Sequence, residues 1–266
     1  MVAQEHLSSV LFGILLFNLA AQCAKSIGLH QWECARGQIR DEDTRERQNV
    51  SYCLYILDKA VCWTIGTFPS IPISDVHIDS ASISPDDEAT TCLVTKAKLA
   101  EIEDAIYLDI YSSQVKAKTE EQVRQTVSKI HQRLQDWLAD SGINIEDVEN
   151  AATQISASKI ELSIAFFSTQ LLLIWPFQEH PDAIFQRIEI AQRCMKLLLR
   201  LWRAKPEPGH YVALPRLTLS IFYSPSKRTD LKWTDLVNIV SLHLIHHFTC
   251  MRFVHTLSAA RDRTPI

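Results

Sequence analysis

Glycine is scarce in this chain, and the scarcity limits the folds open to it. Six of the 266 residues are glycine, whereas average usage of about 7% would give roughly 19. Glycine supplies the positive-φ turns of β-hairpins and the loops that approach phosphate groups closely. The composition therefore argues against a Rossmann domain, a P-loop and a hairpin-rich β fold.

Apolar residues recur at spacings of three and four along most of the chain, which is the pattern of α-helices with a buried face. They make up 47% of the sequence, enough for a buried core in a chain of this length. We therefore expect a single all-α domain, an irregular array of about seven to eight helices. The predicted helices cover residues 6–27, 41–66, 92–114, 119–140, 158–175, 181–204, 212–223 and 229–259.

Residues at the predicted helix ends have the chemistry that such ends require. Gly28 is expected to close the first helix in the left-handed conformation. Thr119 is expected to cap the start of the fourth helix, and Pro181 to open the sixth at its first position. Residues 67–84 contain prolines, serines and aspartates and should form an extended connection. Residues 143–156 are predicted to be a polar linker, the one subdivision expected in the domain.

The spacing of apolar residues also predicts which side of each helix is buried. The expected buried residues are Val50, Leu54, Leu57 and Val61 in the second helix, Leu99, Ile102, Ile106 and Ile110 in the third, Val123, Val127, Ile130, Leu134, Trp137 and Leu138 in the fourth, and Ile184, Ile188, Ala191, Met195, Leu198 and Trp202 in the sixth.

Charge and cysteine content exclude several classes of protein. The net charge is −4 and the pI about 6.2, so no global basic surface indicates nucleic-acid binding. Seven scattered cysteines form no CxxC pair, which argues against a zinc ribbon and indicates a reducing, intracellular compartment. The apolar run at residues 10–17 lacks the flanks of a signal peptide and the length of a membrane span, so we expect a buried helix there.

Several segments resemble the elements of a known family. Residues 24–30, AKSIGLH, are similar to an "A-x-x-LGLH" element, and residues 45–59, RERQNVSYCLYILDK, to an arginine-rich helix start followed by "W-x-LYxLDR". Residues 66–71 and 74–78 resemble a glycine-x-x-proline turn and a short Ile/Val-Asp segment. Residues 163–177 resemble a helix that ends in "RPF", here with Trp175 in place of the arginine. The family is the fungal-specific transcription factor domain, the middle homology region of fungal zinc-cluster regulators.

The resemblance implies a transcription regulator that acts in the nucleus, with the cytoplasm as an alternative location. It covers most of residues 7–205, which we expect to be an N-terminally truncated regulatory region. Residues 206–266 are then a helical extension packed on that region. The implied activity is effector sensing and protein contact, in control of a metabolic or secondary-metabolite gene cluster. The implied partners are other transcription-factor subunits, coregulators and a small-molecule effector, and no membrane.

The family's DNA-binding element, an N-terminal cluster of six cysteines that hold two zinc ions, has no counterpart in these residues. No zinc cofactor and no direct nucleic-acid binding are therefore expected from this chain. Two alternatives remain open. One is a stand-alone small-molecule-binding protein or enzyme of fungal secondary metabolism on the same helical scaffold, and the other is a remnant that dimerises with full-length relatives. No catalytic motif supports an enzyme, so no catalytic, cofactor-binding or metal-binding residue is assigned.

Charged residues offer candidate sites, each with a structural interpretation that we favour. Asp58 would be a general base in a pocket, or a carboxylate paired with Arg45, Arg47 or a backbone N–H. We favour the paired carboxylate. Acidic residues of the third helix, namely Glu101, Glu103, Asp104 and Asp109, are expected on a solvated face. Basic residues of the sixth helix would contact phosphates or, as we favour, face solvent: Arg187, Arg193, Lys196, Arg200, Arg203 and Lys205.

Histidines and aromatic residues are weighed in the same way. His243 and His247 have the i, i+4 spacing of a zinc-binding pair, as do His246 and Cys250 in a weaker form, but no third ligand is evident. We therefore favour chance clustering of these residues with His255 on one helix. The aromatic residues would line an apolar pocket or, more commonly, pack in the core: Trp63, Phe166, Phe167, Trp175, Phe177, Trp202 and Trp233.

Overall fold

Seven α-helices and no β-strand make up the part of the chain that the computed structural model describes, which confirms the all-α prediction. The described residues are 15–29, 41–65, 68–78, 87–112, 118–150, 155–177 and 180–204. The helices are α1 (15–26), α2 (Asp41–Ile65), α3 (Glu88–Ile106), α4 (Glu120–Asp140), α5 (Ile145–Asn150), α6 (Ala157–Ile174) and α7 (Pro181–Ala204). The helices predicted over 212–223 and 229–259, and with them the histidine cluster, Cys250 and Trp233, lie outside the described residues.

The helix ends follow the predicted chemistry. Gly28, after α1, has φ +67°, and Gly142, after α4, has φ +64°, both in the left-handed region that favours glycine. Thr119 caps α4 in a reciprocal capping box with Gln122. Pro181 is the first residue of α7, where its missing N–H costs no hydrogen bond. These local signals fixed the helix boundaries because each depends only on its immediate neighbours in sequence.

Helix α6 is the centre of the larger of two apolar clusters. Thirteen of its residues are buried, and it packs on α3, α4, α5 and α7. The segment Ala157–Phe177 is apolar and long enough to cross a membrane by composition alone, yet 67% of its most apolar window is buried inside the protein. The predicted stripes of α3 and the core residues Ile130, Leu134 and Trp137 of α4 are buried in this cluster, as expected.

The smaller cluster joins α1, α2, α3 and the extended segment that connects α2 to α3. Its buried members include Ala21 of α1, Tyr52 and Tyr55 of α2, and Ala97 of α3. The connecting segment contributes Ile71 and Val76 and contains one short 3-10 turn, Ile73–Asp75. We call residues 68–78 the strap. Its extended course was predicted, and it lies across the α2–α3 pair.

The predicted buried face of α2 is wrong. Val50 is 42% exposed, and Leu54, Leu57 and Val61 are only partly buried. The fully buried side is more polar than the sequence pattern suggested: Thr44, Gln48, Ser51, Tyr52, Tyr55, Asp58, Lys59 and Cys62. Three of these side chains, Tyr52, Asp58 and Lys59, form hydrogen bonds with the backbone of the strap, and apolar periodicity cannot reveal such partners.

The predicted buried face of α7 is wrong in part. Ile184 and Ile188 are 42% and 50% exposed, while the fully buried line is Ala183, Cys194, Leu197 and Leu201. Of the other predicted residues, Leu198 packs partly buried against the larger cluster, and Ala191 and Met195 are half-buried. The buried side of α7 packs mainly on α6 and also on α5.

The predicted linker at 143–156 contains a helix. Ile145–Asn150 forms α5, and Ile143, Ile145 and Val148 are buried in the larger cluster. Three apolar residues at spacings of two and three are too few to show periodicity among polar neighbours. This segment therefore contributes to the core instead of crossing a surface.

Substitution of two leucines on one continuous helical segment tests the burial of α3. Leu99 is 1% exposed, whereas Leu108, in the π-helical continuation Tyr107–Tyr111, is 52% exposed. We expect Leu99→Ala to lower the free energy of unfolding by about 3 kcal/mol because it leaves a cavity. Leu108→Ala should lower it by less than about 1 kcal/mol. Urea denaturation measures both, and equal losses would contradict the packing described.

Candidate functional site

The carboxylate of Asp58 binds the backbone of the strap. Its two oxygens accept hydrogen bonds from the backbone N–H groups of Ser70 and Ile71, each at 3.0 Å. An extended segment has no helix or sheet to satisfy its amides, so a side chain must do so when the segment is buried. The prediction that a backbone N–H partners Asp58 is confirmed, and Arg45 and Arg47 are not its partners.

The ammonium group of Lys59 makes three polar contacts with full burial of the side chain. Its Nζ lies 3.2 Å from Asp58 Oδ2 and 3.0 Å from Asp104 Oδ1. It also donates to the carbonyl oxygen of Ile71 at 2.6 Å. An ammonium group has three N–H donors, so these acceptors use all of them. The general-base interpretation of Asp58, which the sequence did not favour, finds no support in this geometry.

Asp104 links the same cluster to α3. Its second carboxylate oxygen accepts the backbone N–H of Ile73 at 3.1 Å. Asp58, Lys59 and Asp104 are each at most 3% exposed. We call these three residues the clamp. Burying three charges costs several kcal/mol per ion, and the cost is offset here by mutual attraction and by hydrogen bonds to every carboxylate.

Two tyrosines of α2 complete the surroundings of the strap. The Lys59 ammonium lies 4.4 Å from the centre of the Tyr55 ring, a cation–π contact. Burial, reinforced by the nearby Asp104, raises the pKa of Tyr55 far above its usual range. Tyr52 accepts from Gln48 at 2.8 Å and donates to the carbonyl oxygen of His77 at 3.2 Å. Lys25 of α1 bonds the carbonyl oxygen of Ser70.

The acidic residues of α3 do not form the solvated face that was predicted. Glu103 and Asp104 are buried, at 1% and 3% exposure. Glu103 accepts a hydrogen bond from Thr169 of α6 at 3.1 Å. A neighbouring buried pair, Lys96 with Glu161, also joins α3 to α6. The prediction fails because α3 is packed against three helices, α2, α4 and α6, so some of its polar residues are enclosed as well.

Glu101 and Asp109 are nearer to solvent. Partial burial raises the pKa of Glu101 above its usual range, although Arg133 and Lys98 act against that shift. Asp109 is 54% exposed and lies 3.6 Å from Lys118. Only these two members of the predicted acidic face match the expectation of contact with water.

Two of the arginines predicted on the solvent face of α7, Arg193 and Arg200, are half-buried and bind α5 instead, while Arg203 and Lys205 have side chains outside the described residues. Arg193 binds Glu149 of α5 with two hydrogen bonds, at 2.7 and 2.8 Å, and lies over the ring of Phe167. Arg200 donates to the carbonyl oxygens of Val148 and Glu149. These contacts satisfy the carboxyl end of α5, where backbone carbonyls have no partner within the helix. Lys196 is exposed, as the favoured interpretation expected.

Aromatic residues pack against one another and against cations. Trp63 contacts Tyr107 and Tyr111 edge-on, with ring centres 6.2 and 5.2 Å apart. Trp137 stacks on Phe166 at 6.4 Å. Arg187 lies over Trp175 and Arg124 over Phe177, at 4.4 and 5.2 Å. These contacts support the core-packing interpretation of the predicted aromatic set over that of a ligand pocket.

Cysteines and metal ligands give no separate site in the described part of the chain. The five cysteines found there are thiols: Cys23, Cys53, Cys62, Cys92 and Cys194. Burial raises the pKa of Cys62 to about 12, which leaves it protonated and unreactive near neutral pH. Among the described residues, no group of three or more histidine, cysteine or acidic side chains is arranged to hold a metal ion.

Sequence reasoning found Asp58 but missed Asp104 and the role of Lys59. Asp104 follows Ala97 and Ala100 at spacings of seven and four along one buried side of α3. A carboxylate that falls on the buried side of a helix predicts a buried cationic partner, because an unpaired buried charge is costly. The adjacent Asp58-Lys59 pair would have supplied that partner.

Comparison with known proteins relates the chain to fungal transcription factors. It is 48% identical over 209 residues to transcription factor sphG of Aspergillus fumigatus (strain CBS 144.89), a match that covers 78% of this chain and 28% of that protein. It is 23% identical over 133 residues to an ABC-transporter-regulating transcription factor of Aspergillus fumigatus (strain Af293) and to one of Aspergillus oryzae. Those matches cover 46% of this chain and 15% of each protein. No protein-family model and no solved structure matches the chain.

Loss of the central cation tests the clamp. We expect Lys59→Met to lower the free energy of unfolding by about 3–5 kcal/mol, because it leaves two buried carboxylates facing each other. The same substitution at the exposed Lys129 should change it by less than about 0.5 kcal/mol. Urea denaturation of both variants measures the difference. If Lys59→Met is too unstable to purify, Asp104→Asn serves instead, and its stability should fall between the two. Variants that all unfold like the wild type would contradict the clamp.

Proposed function

We propose that this chain is a regulatory domain of a fungal transcription regulator that acts by effector sensing and protein contact. The observation that carries the proposal is the 48% identity, over 209 residues, to part of a protein named as a transcription factor. The chain spans 28% of that relative's length, so the related segment is one module of a longer regulator. The more distant relatives are also named as transcription factors, which supports the same role.

The residue chemistry supports a binding and packing role over catalysis. The buried charges of the clamp and of the α5–α7 contacts have partners on neighbouring elements and hold those elements together. A regulatory domain works when a ligand or partner binds one arrangement of its helices better than another. The fungal-specific transcription factor domain, suggested by the segment around Leu54–Lys59, fits this description. We place the protein in the nucleus, in control of a metabolic or secondary-metabolite gene cluster, with other regulator subunits as partners.

A tethering experiment tests the proposal. The full chain is fused to a heterologous DNA-binding domain and an acidic activation segment, and output of a reporter gene is measured in a fungal cell. We expect the chain to change reporter output at least fivefold relative to the same fusion without it, because a regulatory domain modulates the attached activator. Output that differs by less than twofold would contradict the proposal.

Two variants serve as controls for this experiment. The Lys59→Met fusion should lose the effect, because the clamp holds the domain's fold. The Lys129→Met fusion, with the same substitution on an exposed surface, should keep it. Equal effects of the folded and clamp-disrupted fusions would show that the change in output does not depend on this domain.

A further inference from the structure

Helix α7 is apolar on two sides, and only one of them is packed against the described helices. Its buried side faces α5 and α6. Roughly a third of a turn away around the helix lies a second stripe. Ile184, Ile188 and Leu199 of that stripe, with Phe185 beside it, are 42% to 73% exposed. The half-buried Ala191 and Met195 make the stripe continuous. We call this the outer stripe of α7.

A continuous row of large apolar side chains in water is uncommon on a folded protein and marks a surface that another element covers. Polar residues occupy the remaining side of α7, so the outer stripe has a defined edge. The exposed residues extend over most of the helix, from Ile184 near its start to Leu199 near its end. The element that covers the stripe should therefore be elongated.

We propose that residues 229–259 of the same chain cover the outer stripe as a helix that runs antiparallel to α7. This inference concerns the chain's own architecture and goes beyond the proposed function. The segment has apolar residues at spacings of three and four, on one helix face: Leu236, Val240, Leu244, Phe248 and Met251. As a helix it would be about 46 Å long, enough to cover the roughly 36 Å of α7.

The connection between the two segments allows this arrangement. Helix α7 ends at Ala204, next to the Leu199 end of the stripe. The sequence that follows contains Pro206, Pro208 and Gly209, which end a helix and permit the chain to reverse direction. A second segment that starts at the carboxyl end of α7 can then run back along it.

Charge selects the antiparallel direction. The start of the segment carries a net charge of −1 from Asp230, Lys232 and Asp235, and Arg252 lies in its second half. An antiparallel helix places the two aspartates near the exposed Lys196 and places Arg252 near the exposed Asp182 of α7. A parallel helix would instead bring the aspartates to the acidic start of α7, where like charges repel.

Hydrogen–deuterium exchange of the full chain, followed by mass spectrometry of its peptides, tests the proposal. In the wild type, peptides from 229–259 should be protected. Ile188→Asp should speed their exchange at least tenfold, because a charge in the stripe disfavours the apolar contact. Gln186→Asp, on the opposite side of the helix and exposed, should leave it within twofold of the wild type. Unchanged exchange of α6 peptides shows that the core of each variant is intact.

Charge reversal tests the direction. Lys196→Glu should speed exchange in the first half of 229–259, and the double variant Lys196→Glu, Asp235→Lys should restore protection. Equal exchange of 229–259 in the wild type and Ile188→Asp would overturn the proposal. A dimer in light scattering that Ile188→Asp converts to a monomer would also overturn it, because a second copy would then cover the stripe.

Discussion

One buried ammonium group holds the α2–strap–α3 arrangement together. Lys59 lies between the carboxylates of Asp58 and Asp104, which would repel each other without it. The carboxylates in turn bind the backbone N–H groups of Ser70, Ile71 and Ile73. The strap has little regular secondary structure, so these side chains replace the hydrogen bonds that a helix or sheet would provide. Burial of the strap residues Ile71 and Val76 depends on that replacement.

The parts of the fold that were predicted correctly rest on local signals, the periodicity of apolar residues and the chemistry of helix ends. The stripe of α3, the core residues of α4 and the helix ends at Gly28, Thr119 and Pro181 depend on residues close together in the chain, and they are confirmed. The predicted buried face of α2 was wrong because its buried side carries polar residues, and that of α7 was wrong in part because this helix is apolar on more than one side. Which side is buried is decided by distant elements, the strap and α3 for α2, and α5 and α6 for α7, that local spacing does not encode.

The polar interior was predicted less well than the helices, for a related reason. A carboxylate such as Asp104 or an arginine such as Arg193 resembles a surface residue until its partner is known. The partner lies 45 or 44 positions away in sequence, as Lys59 and Glu149 do. The association with transcription regulation comes from the relatives, which are named as transcription factors, and not from the arrangement of the residues. The clamp and the α5–α7 contacts join neighbouring elements of this helical fold.

Amide hydrogen exchange at the strap tests the central claim most directly. The N–H groups of Ser70, Ile71 and Ile73 lie in an extended connection, where amides open to water exchange rapidly. If the carboxylates of Asp58 and Asp104 bind them, these three amides should exchange at least a hundredfold more slowly than the exposed Ser74 amide nearby, at neutral pH. Exchange of all four at the rate of an unfolded chain would show that the clamp does not hold the strap.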